Sequence, residues 1–261
     1  MRIVYIGAER VGLTCLRRLM GVGKNVVGIF TVHDDLRPKI ADFVPFDEFV
    51  GSTGVPFFKV KSTKDPETVR QVRELRPDLV VVVSWSQIIP EDILNAAPLG
   101  CVGIHYSLLP ARRGGAPLSW ALIDGLARSG ITLFYYDAGI DTGDIIAQKE
   151  FEIAWEDTVK TLLDKIMLLA PDLLAENVDL IESGCAPRIK QDESQASYTR
   201  PRKPADSQID WSRPLKDVYN FIRALAPPYP SAFTMMHADK KLVIHRARLD
   251  GGKLWIEGFI E

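Results

Sequence analysis

The chain has 261 residues, 46% hydrophobic and 25% charged, which is typical of one sizeable globular core with a smaller appended unit. Its formal net charge of -2 argues against strong binding to nucleic acid or to a membrane surface. Cys15, Cys101 and Cys185 have no paired spacing, which argues against a disulfide framework or a zinc site and predicts a reduced, cytoplasmic protein.

The first ten residues, MRIVYIGAER, predict a β-strand rather than a signal peptide, because the apolar run is short and no small-residue cleavage site follows. No stretch of the chain approaches the ~20 apolar residues that a membrane helix needs. We therefore expect no contact with a membrane.

Apolar runs rich in β-branched residues alternate with helical patterns through the first two thirds of the chain. Strands are predicted at 2–6, 25–31, 78–84, 101–105, 131–136 and 144–151, and helices at 13–20, 67–75, 91–96, 117–123 and about 156–182. Continuous hydrophobicity in the early strands predicts an α/β fold, a Rossmann-like and mostly parallel sheet with helices on both faces. Ligands bind such sheets past the carboxyl ends of the strands, where Ser84 and His105 lie.

The texture of the sequence changes after Gly184. Residues 1–185 are predicted to form a first domain, residues 186–206 a polar linker, and residues 207–261 a small α+β, barrel-like domain. The last unit is β-rich, with a predicted helix at 214–225 and strands at 232–236, 241–248 and 254–260.

The glycines of IGAERVG, Gly7 and Gly12, follow a strand and precede a helix. The dinucleotide-binding pattern G-x-G-x-x-G requires a further glycine that is missing here. Two glycines in a tight strand-to-helix turn are the favoured interpretation, and NAD binding is not expected.

His105 ends an apolar strand, where a lone histidine is more often structural than catalytic. The later segment YYDAGIDTGDIIAQ offers Asp137, Asp141 and Asp144 in a loop between two predicted strands. If the strand of His105 neighbours this loop, a carboxylate can orient the imidazole. Spacing alone leaves both interpretations open.

Two sequence blocks resemble the signature of the folate-dependent formyltransferases: HYSLLPARRGGAPLSWALIDG and GIDTGDIIAQ. The family includes methionyl-tRNA, glycinamide ribonucleotide and sugar-nucleotide N-formyltransferases. The resemblance covers residues 1 to about 153, including SWSQIIP, and IDWSRPLKDVYNFIRAL and PYPSAF resemble the opening of a C-terminal domain in the methionyl-tRNA and aminoarabinose enzymes. It implies transfer of a formyl group from 10-formyltetrahydrofolate to a primary amine, with no metal.

The resemblance also implies roles for individual residues. The expected catalytic positions are His105, Asp141 and Gly103, the last standing where the family has asparagine. The folate pocket is expected to include Trp85, Gln87, Ile88, Ile89, Pro90, Asp137, Ala138, Gly139 and Ile140. Acceptor binding is expected to involve Tyr106, Ser107, Arg112 and Arg113, with the two guanidinium groups suited to phosphates.

Gly103 is a departure from the family pattern. The asparagine is thought to donate a hydrogen bond to the formyl oxygen as it becomes an oxyanion, and glycine has no donor to offer. Protonated His105, a backbone N–H, an ordered water, Ser84 or Gln87 are alternatives, and a water in the vacated space is the first expectation.

The acceptor is predicted to be an amino sugar linked to a nucleotide, because the net charge is slightly negative and the C-terminal unit is small. Methionyl-tRNA or another amine is the alternative, although nucleic acid is not the expected partner. A protein of another class, a weakly catalytic pseudoenzyme that binds folate or a nucleotide sugar, also fits the missing asparagine. A homodimer is compatible with all three.

Overall fold

The computed structural model describes residues 1–237 and 240–261. The strands are β1 (Arg2–Gly7), β2 (Asn25–Val32), β3 (Phe57–Val60), β4 (Leu79–Val83), β5 (Cys101–His105), β6 (Arg113–Gly114), β7 (Arg128–Tyr135), β8 (Ile145–Glu152), β9 (Tyr198–Thr199), β10 (Ala232–Met235), β11 (Lys241–Asp250) and β12 (Lys253–Ile260). The helices are α1 (Arg10–Gly21), α2 (Asp47–Gly51), α3 (Pro66–Glu74), α4 (Glu91–Leu94), α5 (Pro117–Ile123), α6 (Val159–Glu182) and α7 (Leu215–Ala224).

Seven strands form one sheet in the order β3-β2-β1-β4-β5-β7-β8. The first five of these are parallel, and β7 and β8 are antiparallel to their neighbours. Gly103 lies beside Val82 of β4 and opposite Phe134 of β7, while His105 lies opposite Thr132. The predicted α/β fold with a mostly parallel sheet is confirmed, and β5 does neighbour the strand that leads to Asp141.

Two hydrophobic cores cover the two faces of this sheet. In β1, Ile3 and Tyr5 point into the core shared with α1, α5 and α6, whereas Val4 and Ile6 point into the core under α3 and α4. This alternation follows from the two-residue period of a strand. It explains why the early strands are continuously hydrophobic: both faces exclude water.

Gly7 and Gly12 have a steric role at the end of β1. A Cβ atom would lie 2.9 Å from the Val83 carbonyl oxygen at Gly7 and 3.1 Å from it at Gly12. Glycine therefore lets α1 approach β4 closely, in agreement with the interpretation of these glycines as part of a tight turn.

The C-terminal unit is a three-stranded antiparallel sheet in the order β10-β11-β12, with α7 on one face. Its small core contains Ile209, Val218, Ile222, Ala232 and Ile244. The opposite side carries large exposed side chains, such as Trp255 and Phe259. Only one face of this sheet is covered by the described residues.

Residues 186–206, the predicted linker, lie against the part of the molecule that contains the large sheet. Strand β9 pairs with β6, and Ile189 exchanges backbone hydrogen bonds with Ile145 at the edge of the large sheet. The polar composition of this segment reflects hydrogen bonding to residues around the large sheet rather than a solvated tether.

Strand β3 and helix α2 were not predicted from the sequence, since each is only four or five residues long and shows no clear period. Among the described residues, no helix is both long and apolar enough to cross a bilayer.

Candidate active site

His105 is the last residue of β5, and its position is set by the sheet. Its side chain is buried, with 8% of the residue exposed, and its ring lies edge-on to Phe134 with centroids 6.5 Å apart. The Nε2 atom lies 2.8 Å from the Arg112 carbonyl oxygen. Because a carbonyl only accepts, Nε2 carries the hydrogen and donates it.

Asp141 faces the other ring nitrogen. Its Oδ2 atom lies 3.5 Å from His105 Nδ1 and accepts a 2.7 Å hydrogen bond from the Gly114 backbone N–H. Asp141 has a left-handed backbone with φ of 54°, a conformation that aspartate adopts more readily than most residues. The loop after β7 therefore folds back along β5 and delivers the carboxylate to the far end of that strand.

This arrangement leaves one ring nitrogen of His105 available for proton exchange. Nε2 is committed to the Arg112 carbonyl, and the 3.5 Å separation from Asp141 Oδ2 to Nδ1 is longer than an ordinary hydrogen bond. A proton that arrives on Nδ1 would lie beside a carboxylate that the Gly114 N–H already holds in place. The pair is suited to general acid–base chemistry in a partly buried site.

Residues 186–206 hold the loop that contacts His105 and Asp141. Ser197 Oγ accepts from the Arg112 N–H at 2.9 Å, and the Ser197 carbonyl oxygen accepts from the Arg113 N–H at 2.8 Å. Gln191 Nε2 donates to the carbonyl oxygens of Asp141 and Gly143, both at 2.8 Å. Sequence analysis missed Ser197 and Gln191, because their partners lie far away in the chain.

Arg113 was expected to contact an acceptor phosphate, and its position in the structure contradicts that expectation. Its side chain is fully buried, and its guanidinium donates to both carboxylate oxygens of Glu193 at 2.9 and 2.7 Å. The same guanidinium also donates to the side-chain oxygen of Gln191 and to the Tyr198 hydroxyl, both in residues 186–206. Arg113 therefore anchors residues 186–206 and has no surface to offer a ligand.

Ser107 was expected to bind the acceptor, and its burial contradicts that expectation. The residue is only 1% exposed, and its hydroxyl donates to the Ala111 carbonyl oxygen at 2.6 Å. It stabilises the turn that follows β5. Arg112 remains partly accessible, although its guanidinium donates to Asp124 at 2.8 Å, and it stays a candidate for acceptor binding.

Tyr106 lies on the side of β5 that faces β4 and α1. Its hydroxyl is hydrogen-bonded to Ser84 Oγ, and burial raises the pKa of the phenol well above its ordinary value. Ser84 has a left-handed backbone with φ of 55° at the point where β4 ends. Both residues border the end of the sheet at which His105 lies.

The predicted folate segment, 84–90, follows β4. The amide of Gln87 accepts from the Thr63 N–H at 3.1 Å and donates to the Lys61 carbonyl oxygen at 3.0 Å, so its side chain fixes the segment to the end of β3. Ile88 is 69% exposed. The segment therefore combines a fixed base with an uncovered apolar side chain.

Trp85, Ile89 and Pro90 surround that exposed position. Trp85 and Ile89 are partly buried and pack on the core under α3 and α4, and Pro90 caps the start of α4. The Trp85 Nε1–H is buried and has no partner among the described residues. An unpaired indole donor beside an exposed isoleucine is suited to a heterocycle with acceptor atoms.

The second predicted folate segment, 137–140, is exposed. Asp137 Oδ1 accepts from the Gly139 N–H at 3.0 Å and from the Thr142 hydroxyl at 2.6 Å, which gives the loop its shape. Ala138 and Ile140 lie at its tip, and Ile140 is 59% exposed. The loop presents a second uncovered apolar side chain.

The space beside Gly103 is filled by Tyr136. A Cβ atom at Gly103 would lie 2.8 Å from both Cζ and the hydroxyl oxygen of Tyr136, and 2.7 Å from the Val82 carbonyl oxygen. The room that was expected for a water is occupied by this phenol. Nothing in the spacing of the sequence relates Tyr136 to Gly103.

Two further titratable groups belong to this half of the molecule. Burial, with a smaller contribution from Asp141, holds the pKa of Tyr136 well above its ordinary range. Burial, together with the charge of Asp42, raises the pKa of Glu9 to about 8. Among the described residues, no group of three or more His, Cys, Asp and Glu side chains is placed to hold a metal ion.

The family model described as "Formyl transferase" matches residues 2–178, and that described as "Formyl transferase, C-terminal domain" matches residues 202–254. A methionyl-tRNA formyltransferase from Geotalea daltonii is 35% identical over 255 residues, which are 97% of this chain and 81% of that protein. A methionyl-tRNA formyltransferase from Acetivibrio thermocellus is 36% identical over 252 residues, 96% of this chain and 81% of its own length.

Solved structures share the fold at lower identity. A sugar N-formyltransferase from a Shewanella species has a TM-score of 0.76 at 19% identity and covers 94% of this chain and 97% of its own. A sugar 3N-formyl transferase, solved in the presence of dTDP and 5-N-formyl-THF, has a TM-score of 0.74 at 19% identity and covers 96% and 87%.

Proposed function

This chain belongs to the formyl transferase family and is a folate-dependent formyltransferase, and we propose that His105 and Asp141 form its reacting centre. One observation carries the proposal. The imidazole at the end of β5 faces a carboxylate that is fixed by the Gly114 N–H, with one ring nitrogen left for proton exchange.

Formyl transfer to an amine imposes three requirements on the site. The amine must be neutral when it attacks, the formyl oxygen must be stabilised as it becomes negative, and the folate nitrogen must leave. His105 Nδ1 takes the proton that the attacking nitrogen releases and returns it to the departing folate nitrogen. Asp141 stabilises the ring while it carries that proton.

The folate is proposed to bind between segments 84–90 and 137–141. Ile88 and Ile140 supply exposed apolar surface, and the buried Trp85 Nε1–H supplies an unused donor. A flat heterocycle with ring nitrogens and a carbonyl suits these groups. The formyl group that it carries would then lie toward His105.

Ile140→Asp tests the folate site, with Leu168→Asp on α6 as the matched control, since Leu168 is also exposed. Calorimetry should show that Ile140→Asp weakens folate binding at least tenfold and leaves acceptor binding within twofold. A bulky residue at Ile89 should act in the same direction, although Ile89 also packs on the core. Equal losses for folate and acceptor would refute the placement.

The acceptor is proposed to be a nucleotide-linked amino sugar. Three of the arginines that could meet RNA are paired with acids: Arg200 with Asp206, Arg213 with Asp217, and Arg246 with Glu257. RNA binding relies on cations that are free to replace counterions on phosphates. Arg112 at the edge of the site would suffice for the pyrophosphate of one nucleotide.

Methionyl-tRNA is the second candidate. It is favoured by the relatives of 35% and 36% identity, which bear that activity in their names and match almost all of this chain. Structures named as sugar N-formyltransferases match the fold at lower identity.

A direct assay distinguishes these functions. The protein is mixed with 10-formyltetrahydrofolate and, separately, with amino-sugar nucleotides, methionyl-tRNA and simple amines, and the release of tetrahydrofolate is followed. Turnover only with an amino-sugar nucleotide supports the proposal, and turnover only with methionyl-tRNA replaces it with the second candidate. Tight folate binding without turnover on any amine would identify a pseudoenzyme.

A further inference from the structure

We propose that the hydroxyl of Tyr136 is the hydrogen-bond donor that stabilises the negative oxygen during formyl transfer. The proposal rests on formyl transfer at His105 and Asp141. It assigns a catalytic role to a residue outside the blocks that resemble the family signature.

The first support is position. The Tyr136 N–H bonds to the Cys101 carbonyl oxygen at 2.8 Å, next to the pair formed by Gly103 and Phe134. From there the ring leans along β5, and its hydroxyl oxygen reaches 2.8 Å from the point where Gly103 would carry a Cβ. His105 is two residues further along, on the same face of the strand and about 7 Å away by strand geometry.

The second support is that the side chains expected to meet the oxyanion have other roles. His105 donates from Nε2 to the Arg112 carbonyl oxygen, and its Nδ1, which faces Asp141, is reserved for the proton exchange. Ser84 is hydrogen-bonded to Tyr106, and the amide of Gln87 is committed to residues 61 and 63. The side chains that were expected to meet the oxyanion are therefore already engaged.

The third support is that the Tyr136 hydroxyl is unused and well fixed. No hydrogen bond joins it to any of the residues that the structure describes, 1–237 and 240–261. Its ring packs edge-on against Phe134, with centroids 4.9 Å apart and planes at 90°. Burial holds the phenol protonated through the physiological range, as a donor must be.

In this reaction Tyr136 donates a hydrogen bond and transfers no proton. The lone pair of the amine forms the new N–C bond, and the electrons of the C=O bond move to oxygen, which accepts the Tyr136 O–H. The C=O bond then re-forms as the C–N bond to folate breaks. The proton lost by the attacking nitrogen passes through His105 to the folate nitrogen, and Tyr136 keeps its own proton throughout.

Gly103 is then the residue that makes room for the phenol. An asparagine amide nitrogen stands roughly 2.4 Å from its own Cβ by standard bond lengths. The phenol oxygen lies 2.8 Å from the same Cβ position, so its distance from β5 is similar to that of the asparagine nitrogen. A Cβ at 103 would lie 2.8 Å from this phenol and 2.7 Å from the Val82 carbonyl oxygen, so glycine at 103 lets Tyr136, just after β7, supply the donor.

Tyr136→Phe removes only the hydroxyl, and Tyr135→Phe is the matched control, because Tyr135 faces the opposite core. We expect kcat to fall on the order of a hundredfold in Tyr136→Phe, the range seen when one oxyanion donor is lost. The KM values for folate and acceptor should change less than threefold, and the Tm should stay close to that of Tyr135→Phe. A kcat within threefold of wild type would overturn the proposal.

A rescue experiment adds a second arm. Tyr136→Ala removes the contact with the phenol, and Gly103→Asn in that background places an amide donor beside β5 once β4 shifts slightly to relieve the 2.7 Å contact with the Val82 carbonyl oxygen. The double variant should recover at least tenfold in kcat over Tyr136→Ala alone, and a folded double variant without recovery would count against a shared role.

If His105→Ala abolishes turnover while Tyr136→Phe does not, this proposal fails and formyl transfer stands. If wild type transfers formyl to no amine, the proposed function fails first.

Discussion

The seven-stranded sheet and the C-terminal sheet differ in how many of their faces are covered. Every residue of β4 in the large sheet is buried, whereas seven of the eight residues of β12 in the C-terminal sheet are exposed. The site attaches to β5, which is also buried throughout. Functional groups thus extend from the rigid sheet, and changes of the same kind should have unequal effects in the two halves.

The largest contrast should be between two histidines. His105→Ala should lower kcat on the order of a hundredfold or more, because the proton-exchanging ring at the end of β5 is lost. Asp141→Ala should act in the same direction. His245→Ala, on β11 of the C-terminal sheet, should keep kcat within twofold for a small acceptor. Steady-state release of tetrahydrofolate measures all three, and near-normal turnover of either catalytic variant would show that the centre is misplaced.

A second contrast compares two aliphatic side chains. Leu79→Ala in β4 should reduce the free energy of unfolding by about 2–5 kcal/mol, because it leaves a cavity in a closed core. Ile256→Ala in β12 should change it by less than about 1 kcal/mol, since 39% of that residue is exposed. Urea unfolding monitored by circular dichroism provides both values. Similar losses would mean that Ile256 is covered in solution.

A third comparison, between two glutamines, tests whether residues 186–206 are part of the structure around the large sheet or a tether. Gln191→Ala should cost about 1–3 kcal/mol, because it leaves the carbonyl oxygens of Asp141 and Gly143 without their donor. Gln195→Ala in the same segment should be neutral, since its side chain is exposed. Gln191→Ala should also lower kcat, because the loop that carries Asp141 is loosened. If both variants behave alike, the segment is a tether after all.

The last effect concerns pH. Burial and the charge of Asp42 raise the pKa of Glu9 from about 4.5 to about 8, so the folded state binds this proton more tightly than the unfolded state. The stabilisation is present below pH 4.5 and is lost as the pH rises through 8. The urea concentration at the midpoint of unfolding should therefore fall between pH 5.5 and pH 9 in wild type, relative to Glu9→Gln. Parallel midpoints over that range would contradict this assignment.

Elements with a clear apolar pattern could be predicted from the sequence. The predicted bounds of β5 and α5 agree with the structure, because each has an uninterrupted apolar pattern with clear ends. The folate-dependent formyltransferase prediction is confirmed by the family models, and it rested on residues that are close together in the chain. Short elements such as β3 were not predicted, since four residues show too little of a hydrophobic pattern.

By itself, the sequence determined the α/β class, the family, and the pair of residues proposed for the reacting centre. These follow from local patterns and short motifs. Only the tertiary structure decided that Arg113 is buried against Glu193, that Gln191 holds the loop of Asp141, and that Tyr136 fills the space at Gly103. Each of these contacts joins residues more than thirty positions apart. Such distant contacts depend on strand order and register, which a single sequence does not display.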